Sequence, residues 1–275
     1  MMRYFTAAFL LLFSLSAWSV MLPSTPLEPV YNALFNKQNS LAWQQLINLW
    51  PQVSSAAQRT AWQQARDVIV SGQCGNDLPV TVPDWLDTPT LVLIQRDIPL
   101  NRIYRVQLRG KSQRRDLQVS LTLPGGKEIT LGAEDEYEPD GDFQLESDEQ
   151  GKALPAGVYQ LTVRSGKDVW QHALALPSSG GLNWIQRQGQ QIHLQPPMTA
   201  LACPTPWLEQ RLLKRSDYTQ VWWQKNEHPR LQPWPSRNDT AELWANVSVV
   251  RIEAQGGLTL RTEHQLAGPL LTLQN

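Results

Sequence analysis

Between Pro29 and Val70 the apolar positions follow a helical spacing. Val30, Ala33 and Leu34 lie three and four residues apart, and Trp43, Leu46, Ile47 and Trp50 fall at i, i+3, i+4 and i+7, which predicts amphipathic helices. Ser40 is the expected N-cap of the second helix and Pro51 its stop, while a third helix is expected to start near Ser54 or Ser55 and to carry Trp62, Ala65, Val68 and Ile69. Beyond Gly72 and a stretch punctuated by Pro79, Pro83 and Pro89, the period changes to two. Tyr104, Val106 and Leu108 alternate with Arg105, Gln107 and Arg109, and Leu117, Val119, Leu121 and Leu123 alternate with Gln118, Ser120 and Thr122. This is the pattern of half-buried strands. Gly125-Gly126 and Ser165-Gly166-Lys167 read as hairpin turns between such strands.

Ser178-Ser179-Gly180-Gly181 breaks the pattern, and a third region follows. It contains short strands around Trp184 and Ile192, a proline-rich stretch holding Cys203, a predicted helix from Trp207 to about Lys214 and a strand from Tyr218 to Gln224. A long hairpin, Leu243 to Glu253 and Leu258 to Gln265, turns at Gln255-Gly256-Gly257. The expected fold class is mainly β with an N-terminal α-helical unit: an antiparallel, immunoglobulin-like β-sandwich plus a second β-rich module. The corresponding segments are a leader over 1–19, a helical hairpin or three-helix unit over 20–75, a sandwich over 76–177 and a second mainly β domain over 182–275.

The leader reads as a secretory signal peptide. Arg3 precedes an apolar run from Phe5 to about Ala17, and Ala17 and Ser19 place small residues where a signal peptidase cuts. The run is too short for the roughly 20 residues of a permanent span. The protein is therefore expected in the periplasm or outside the cell, with no membrane span after cleavage near Ser19. Cleavage there leaves 256 of the 275 residues, enough for one large or two ordinary domains. In an oxidising compartment the two cysteines, Cys74 and Cys203, are expected to form a disulfide. A net charge of -1 gives no overall field for nucleic acid or an anionic membrane.

Two resemblances add to this reading. The segment Leu154-Pro-Ala-Gly-Val-Tyr-Gln-Leu-Thr-Val163 resembles the strand entry of immunoglobulin-like and pre-peptidase C-terminal sandwiches, which implies a fold and no activity. Over the whole chain, the order of a Trp-rich helical start, a sandwich, Ala202-Cys203-Pro204, the Arg251-to-Gly256 hairpin and Ala267-Gly268-Pro269 resembles an exported proteobacterial family known only as a domain of unknown function. That resemblance implies a periplasmic setting and supplies no catalytic residue.

Three features bear on chemistry. Nine of the 25 acids lie between Glu134 and Glu149 with no Lys or Arg among them, leaving 16 acids against 24 bases elsewhere. Within this run Glu136, Glu138, Asp140 and Asp142 alternate around Gly141, an oxygen-rich loop of the kind Ca²⁺ accepts. It is not an EF-hand, because Ser147 stands at the twelfth position and Pro139 interrupts the loop. A solvated acidic loop that keeps a strand edge from pairing or answers the basic run Arg109, Lys111, Arg114 and Arg115 is the favoured reading over a metal site. Tryptophan is abundant; Trp43, Trp50 and Trp62 belong to helical stripes, whereas Trp207, Trp223 and Trp234 are candidates for a ligand platform on which a glycan would stack. His172, His193, His228 and His264 are scattered, and no nucleophile elbow, phosphate loop or zinc spacing occurs. The expected function is that of a non-catalytic binding or accessory protein of the cell envelope, with an envelope protein or glycan as partner. An envelope hydrolase without a recognisable motif and a glycan- or peptidoglycan-binding module are the alternatives.

Overall fold

The structure is a computed structural model that describes residues 26–132, 140–227, 232–235 and 242–270. The predicted leader lies outside the described residues, as do Glu136 and Glu138. The chain is mainly β, with a short N-terminal helical unit, one large mixed sheet and a small second sheet.

The helical unit consists of α1 (Glu28–Phe35), α2 (Asn39–Leu49) and α3 (Ala56–Ser71), with a 3₁₀ turn at Trp50–Gln52 where Pro51 ends the α-helical ladder. Ser55 caps α3 through a capping box, its side chain accepting from the Gln58 N–H while the Gln58 side chain accepts in return. Ser40 caps nothing. Helix α2 begins two residues earlier than that cap would set it, with Gln38 at the N-cap position and the Asn39 side chain donating to Asp77 across 2.9 Å, so a tertiary contact holds the start. Trp43, Leu46, Trp62 and Ile69 bury the stripes against one another and against Leu78, Val158 and Ala175. The Trp62 indole N–H is satisfied by the Leu46 carbonyl at 2.9 Å. Gly157 makes this docking feasible, since a Cβ there would stand 2.6 Å from the Trp50 ring.

Among the described residues fourteen strands follow: β1 (Leu86–Ile98), β2 (Asn101–Ser112), β3 (Gln118–Thr122), β4 (Glu128–Gly132), β5 (Asp142–Ser147), β6 (Gly157–Ser165), β7 (Asp168–Leu176), β8 (Ile185–Gln188), β9 (Gln191–Leu194), β10 (Trp207–Lys214), β11 (Gln220–Asn226), β12 (Gln232–Pro233), β13 (Leu243–Gln255) and β14 (Leu258–Pro269). Eleven form one sheet in the order β11-β10-β13-β14-β1-β2-β5-β4-β3-β6-β7, and β12-β9-β8 form the second. Within the large sheet β14 lies parallel to β1, pairing Thr90 with Thr259 through Asp97 with Leu266. The break at Ser178–Gly181 is thus a linker over which one mixed sheet continues from β1–β7 into β10, β11, β13 and β14.

Cross-strand register assigns the two faces of this sheet. On one face Leu91, Leu93, Val106, Leu108, Leu145 and Leu260 join residues of β3, β6 and β7 in the main core. Farther along the same face, Leu208, Leu212, Val247 and Val249 pack on Ile185, Ile192 and Trp234 of the small-sheet region. Both apolar layers therefore cover the same side.

The predicted helix at Trp207–Lys214 is strand β10, paired with β11 and β13. Its sequence, Trp-Leu-Glu-Gln-Arg-Leu-Leu-Lys, favours helix locally, but Leu208 and Leu212 are needed in the apolar layer and Glu209 and Arg211 on the opposite face. Tertiary pairing overrides propensity.

The helical unit is fixed to the tip of the β13–β14 hairpin. Ala254 and Gly256 donate to the carbonyls of Cys74 and Gly75, each at 2.8 Å, and Gly257 donates to Val80 at 2.9 Å. Gly256 sits at φ 61, where a Cβ would collide with the Leu78 carbonyl. Arg66, 1% exposed, donates from Nε to the Ala175 carbonyl at 2.9 Å and ion-pairs with Glu253 on the hairpin. Cys74 and Cys203 form the expected disulfide, with Cα atoms 4.8 Å apart.

Candidate functional site: the charged face of the long sheet

The face opposite the two apolar layers carries the side chains that β2, β10 and β14 set at alternate positions. Pairing aligns them in rows: Gln144, Arg109, Thr90 and Thr259; Glu146, Gln107, Val92 and Arg261; Arg105, Ile94, Glu263 and Val250. A further row runs Arg96, Gln265, Ser248 and Glu209. Val92, Ile94 and Val250 make an apolar floor, and the longer polar side chains lie over it.

These polar groups form two hydrogen-bonded chains. In the first, Arg211 and Arg261 both reach Glu209 Oε2, at 2.5 and 2.9 Å, while the Trp207 indole donates to Glu209 Oε1 at 2.8 Å. Arg261 also pairs with Glu263; Gln265 donates to Glu263 and accepts from Arg96 at 2.7 Å. In the second, Arg105 pairs with Glu146 and with Glu149, the latter at 2.6 Å, and Gln107 donates to Glu146 while accepting from Arg109. Burial alone would raise the Glu209 pKa, but the Arg261 charge, the Trp207 N–H and Arg211 together hold it down to about 2. Glu263, fully buried, is likewise held below the usual carboxylate range by Arg261 and Arg109 against its desolvation.

Cations exceed anions on this face. Arg96 and Arg109 make no direct ion pair among the described residues, and burial pulls both guanidinium pKa values down; Arg105 adds to this for Arg96 while Glu146, Glu263 and Glu149 oppose it, and for Arg109 the Glu263 and Glu209 charges oppose it while Arg261 and Arg211 add to it. Arg109 opens on a cleft of about 720 Å³ lined also by Lys111, Arg261, Thr88, Thr90, Thr259, Gln144, Asp142 and Ile252. A half-buried guanidinium with no carboxylate in direct contact has hydrogen-bonding capacity to spare. An anion in the cleft would take up that capacity.

The residues singled out from sequence are placed as follows. Lys111 Nζ lies 3.2 Å from Asp140 and 3.1 Å from Asp142, so the two described carboxylates of the acidic loop are engaged by the basic hairpin. Among the described residues no group of His, Cys, Asp and Glu stands in metal-holding geometry. Trp207 is half-buried under Lys225 and Arg261, at 4.5 and 5.8 Å from its ring centroid. Trp234 is buried at 3% exposure beneath Arg187, and Trp223 is 49% exposed on the edge strand β11. Register sets Trp223 beside Arg211, on the same charged face as Trp207. His264 is buried, its Nδ1 accepting from the Trp184 N–H at 3.1 Å and its Nε2 3.2 Å from Asp97.

Sequence reasoning passed over Arg96, Arg109, Glu209, Arg261 and Glu263 as site residues. The signal was present as charged residues at alternate positions in three separate segments, but only the parallel β1–β14 pairing and the β10 strand bring those segments together.

Residues 22–270 match the model of a family described as a protein of unknown function (DUF2861). No curated protein matches the chain. The family match agrees with the resemblance drawn from the order of motifs along the sequence. Among the described residues no helix is long and apolar enough to cross a membrane.

Proposed function

We propose that this chain, which belongs to the DUF2861 family of proteins of unknown function, is an exported, non-catalytic binding protein of the cell envelope that takes an anionic ligand on the charged face of its long sheet. The observation that carries this reading is Arg109, a half-buried guanidinium that makes no direct ion pair among the described residues and opens on a cleft also lined by Lys111, Arg261 and Asp142. Export is supported by the leader pattern of the first 19 residues and by the Cys74–Cys203 bridge, which suits an oxidising compartment.

Binding is favoured over catalysis by the state of the acids. General acid–base work calls for a group titrating near the working pH. Glu209 and Glu263 are instead locked as anions by arginines, which suits a rigid, fixed-charge surface. The charged face, rather than the acidic loop, is the binding surface because Asp140 and Asp142 already have Lys111 as their counter-ion.

The test is a thermal melt of the mature protein in citrate or inorganic phosphate against chloride at equal ionic strength. A ligand that binds only the folded state raises the melting temperature by mass action. A saturable rise with the polyvalent anions, reduced in Arg109→Gln, is expected. Superimposable melts in all three salts would refute the anionic-ligand reading.

A further inference from the structure

Resting on that reading, we infer that the Arg109 cleft is a subsite for an acidic sugar, a hydroxylated ring carrying one carboxylate or phosphate group. Arg109 supplies the anion contact. Two of its N–H groups point to Gln107 Oε1, and the remaining donors of the planar fork match the paired oxygens of a carboxylate or phosphate.

The rest of the lining sets three threonine hydroxyls beside Lys111, Arg261 and Asp142. Thr90 and Thr259 are directly paired neighbours on β1 and β14, Thr88 stands at the lip, and Gln144 flanks Arg109 from β5. Threonine hydroxyls both donate and accept, as sugar hydroxyls do; the Thr90 hydroxyl donates to the Thr88 carbonyl at 3.4 Å and keeps its oxygen as an acceptor, and the Gln144 amide offers donors and an acceptor. Thr88 is held at φ 45 by the bulge between Asp87 and Thr90, which sets it out of the strand pleat at the cleft's edge. Ile252 gives an apolar patch for the C–H face of a ring.

The same observations disfavour other anions. The one aromatic residue in the lining, Phe143, is 4% exposed, so the cleft offers no open ring for a nucleobase. Lys111 is shared with Asp140 and Asp142, and Arg261 with Glu209 and Glu263, leaving Arg109 as the lining cation without an ion pair among the described residues. That balance gives the cleft one strong anchor, at Arg109, for one anionic group of a ligand. A cleft of about 720 Å³ lies inside the roughly 300–1,000 Å³ range of small-molecule sites.

Isothermal titration of the full mature protein with glucuronate, glucose 6-phosphate, glucose and inorganic phosphate tests the assignment. Either acidic sugar is expected to bind at least about tenfold more tightly than both glucose and inorganic phosphate. Arg109→Gln is expected to weaken the acidic sugars by about tenfold to a hundredfold. Thr90→Val/Thr259→Val, which keeps the guanidinium, is expected to weaken the sugars while leaving phosphate binding unchanged, and it serves alone if Arg109→Gln does not fold. Equal affinity for phosphate and acidic sugars, or no effect of the threonine changes, would overturn the sugar subsite and leave the anion-binding reading standing. Absence of binding by every anion would overturn both.

Discussion

Replacing Cys74 and Cys203 together by alanine removes a cross-link between residues 129 apart in the chain. The chain-entropy relation for a loop of that length gives about 5 kcal/mol at 25 °C. The structure reduces this figure. Cys74 stays anchored without the bridge, because its carbonyl and that of Gly75 accept from Ala254 and Gly256 at 2.8 Å. Cys203, by contrast, lies between β9 and β10 in a stretch without helix or strand, held locally by its own N–H to the Ala200 carbonyl at 2.9 Å. Part of the loss is then taken as loosening of that stretch rather than as global destabilisation. The expected cost is about 3–5 kcal/mol, which lowers the melting temperature by about 6–20 °C in a chain of this size. Calorimetry of wild type and double alanine variant, with free thiols counted in denaturant, measures it. Wild-type protein that titrates with two free thiols would remove the bridge itself. An intact bridge whose removal shifts the melt by less than about 2 °C would refute the loop-entropy reasoning.

Three further outcomes are expected. Arg66→Met strands the Glu253 carboxylate with Arg251, at 3.5 Å, as its one ion-pair partner among the described residues, and should cost about 3–5 kcal/mol by urea denaturation; adding Glu253→Gln should restore part of it, and strict additivity of the two changes would show that the pair is uncoupled. Glu209 has a folded pKa depressed from 4.5 to about 2, so its contribution is complete above about pH 4.5 and is lost as the pH falls toward 2; Glu209→Gln should cost on the order of 3 kcal/mol at pH 7, with the difference from wild type shrinking below pH 4.5, and a gap that stays constant down to pH 3 would contradict the assignment. Millimolar Ca²⁺ against EDTA should leave the melting temperature within about 1 °C, since Lys111 already pairs with both Asp140 and Asp142 and leaves one net negative charge between them; a Ca²⁺-specific rise abolished by Asp140→Asn/Asp142→Asn would give the loop a metal.

Much of the fold could be read directly. The helical stripes around Trp43 and Trp62, the Ser55 start of α3, the period-two strands and the Gly256 turn each follow from local spacing, and two cysteines leave one pairing. Long-range pairing was not legible in the same way. Nothing near Thr90 or Thr259 announces that β14 returns to lie parallel to β1, and Leu208-Glu-Gln-Arg-Leu-Leu213 carries helical propensity that only its neighbours β11 and β13 override. The site shares this origin. Arg105, Gln107 and Arg109 look like an ordinary solvent face until β14 supplies Arg261, Glu263 and Gln265 and β10 supplies Glu209. The acidic loop and the tryptophans stood out because they are compositional outliers, whereas the charged face is assembled from residues of common type. Outlier composition marks what is unusual in a segment and is blind to what strands bring together.

The most direct measurement is an amide chemical-shift map of the isotope-labelled mature protein titrated with citrate at constant ionic strength. Binding on the charged face predicts saturable shifts concentrated in β1, β2, β5 and β14 around Thr90, Arg109, Gln144 and Arg261, and largely absent in Arg109→Gln. Shifts confined to the β11 edge around Trp223, or to the acidic loop beside Asp140, would place the ligand elsewhere and contradict the assignment.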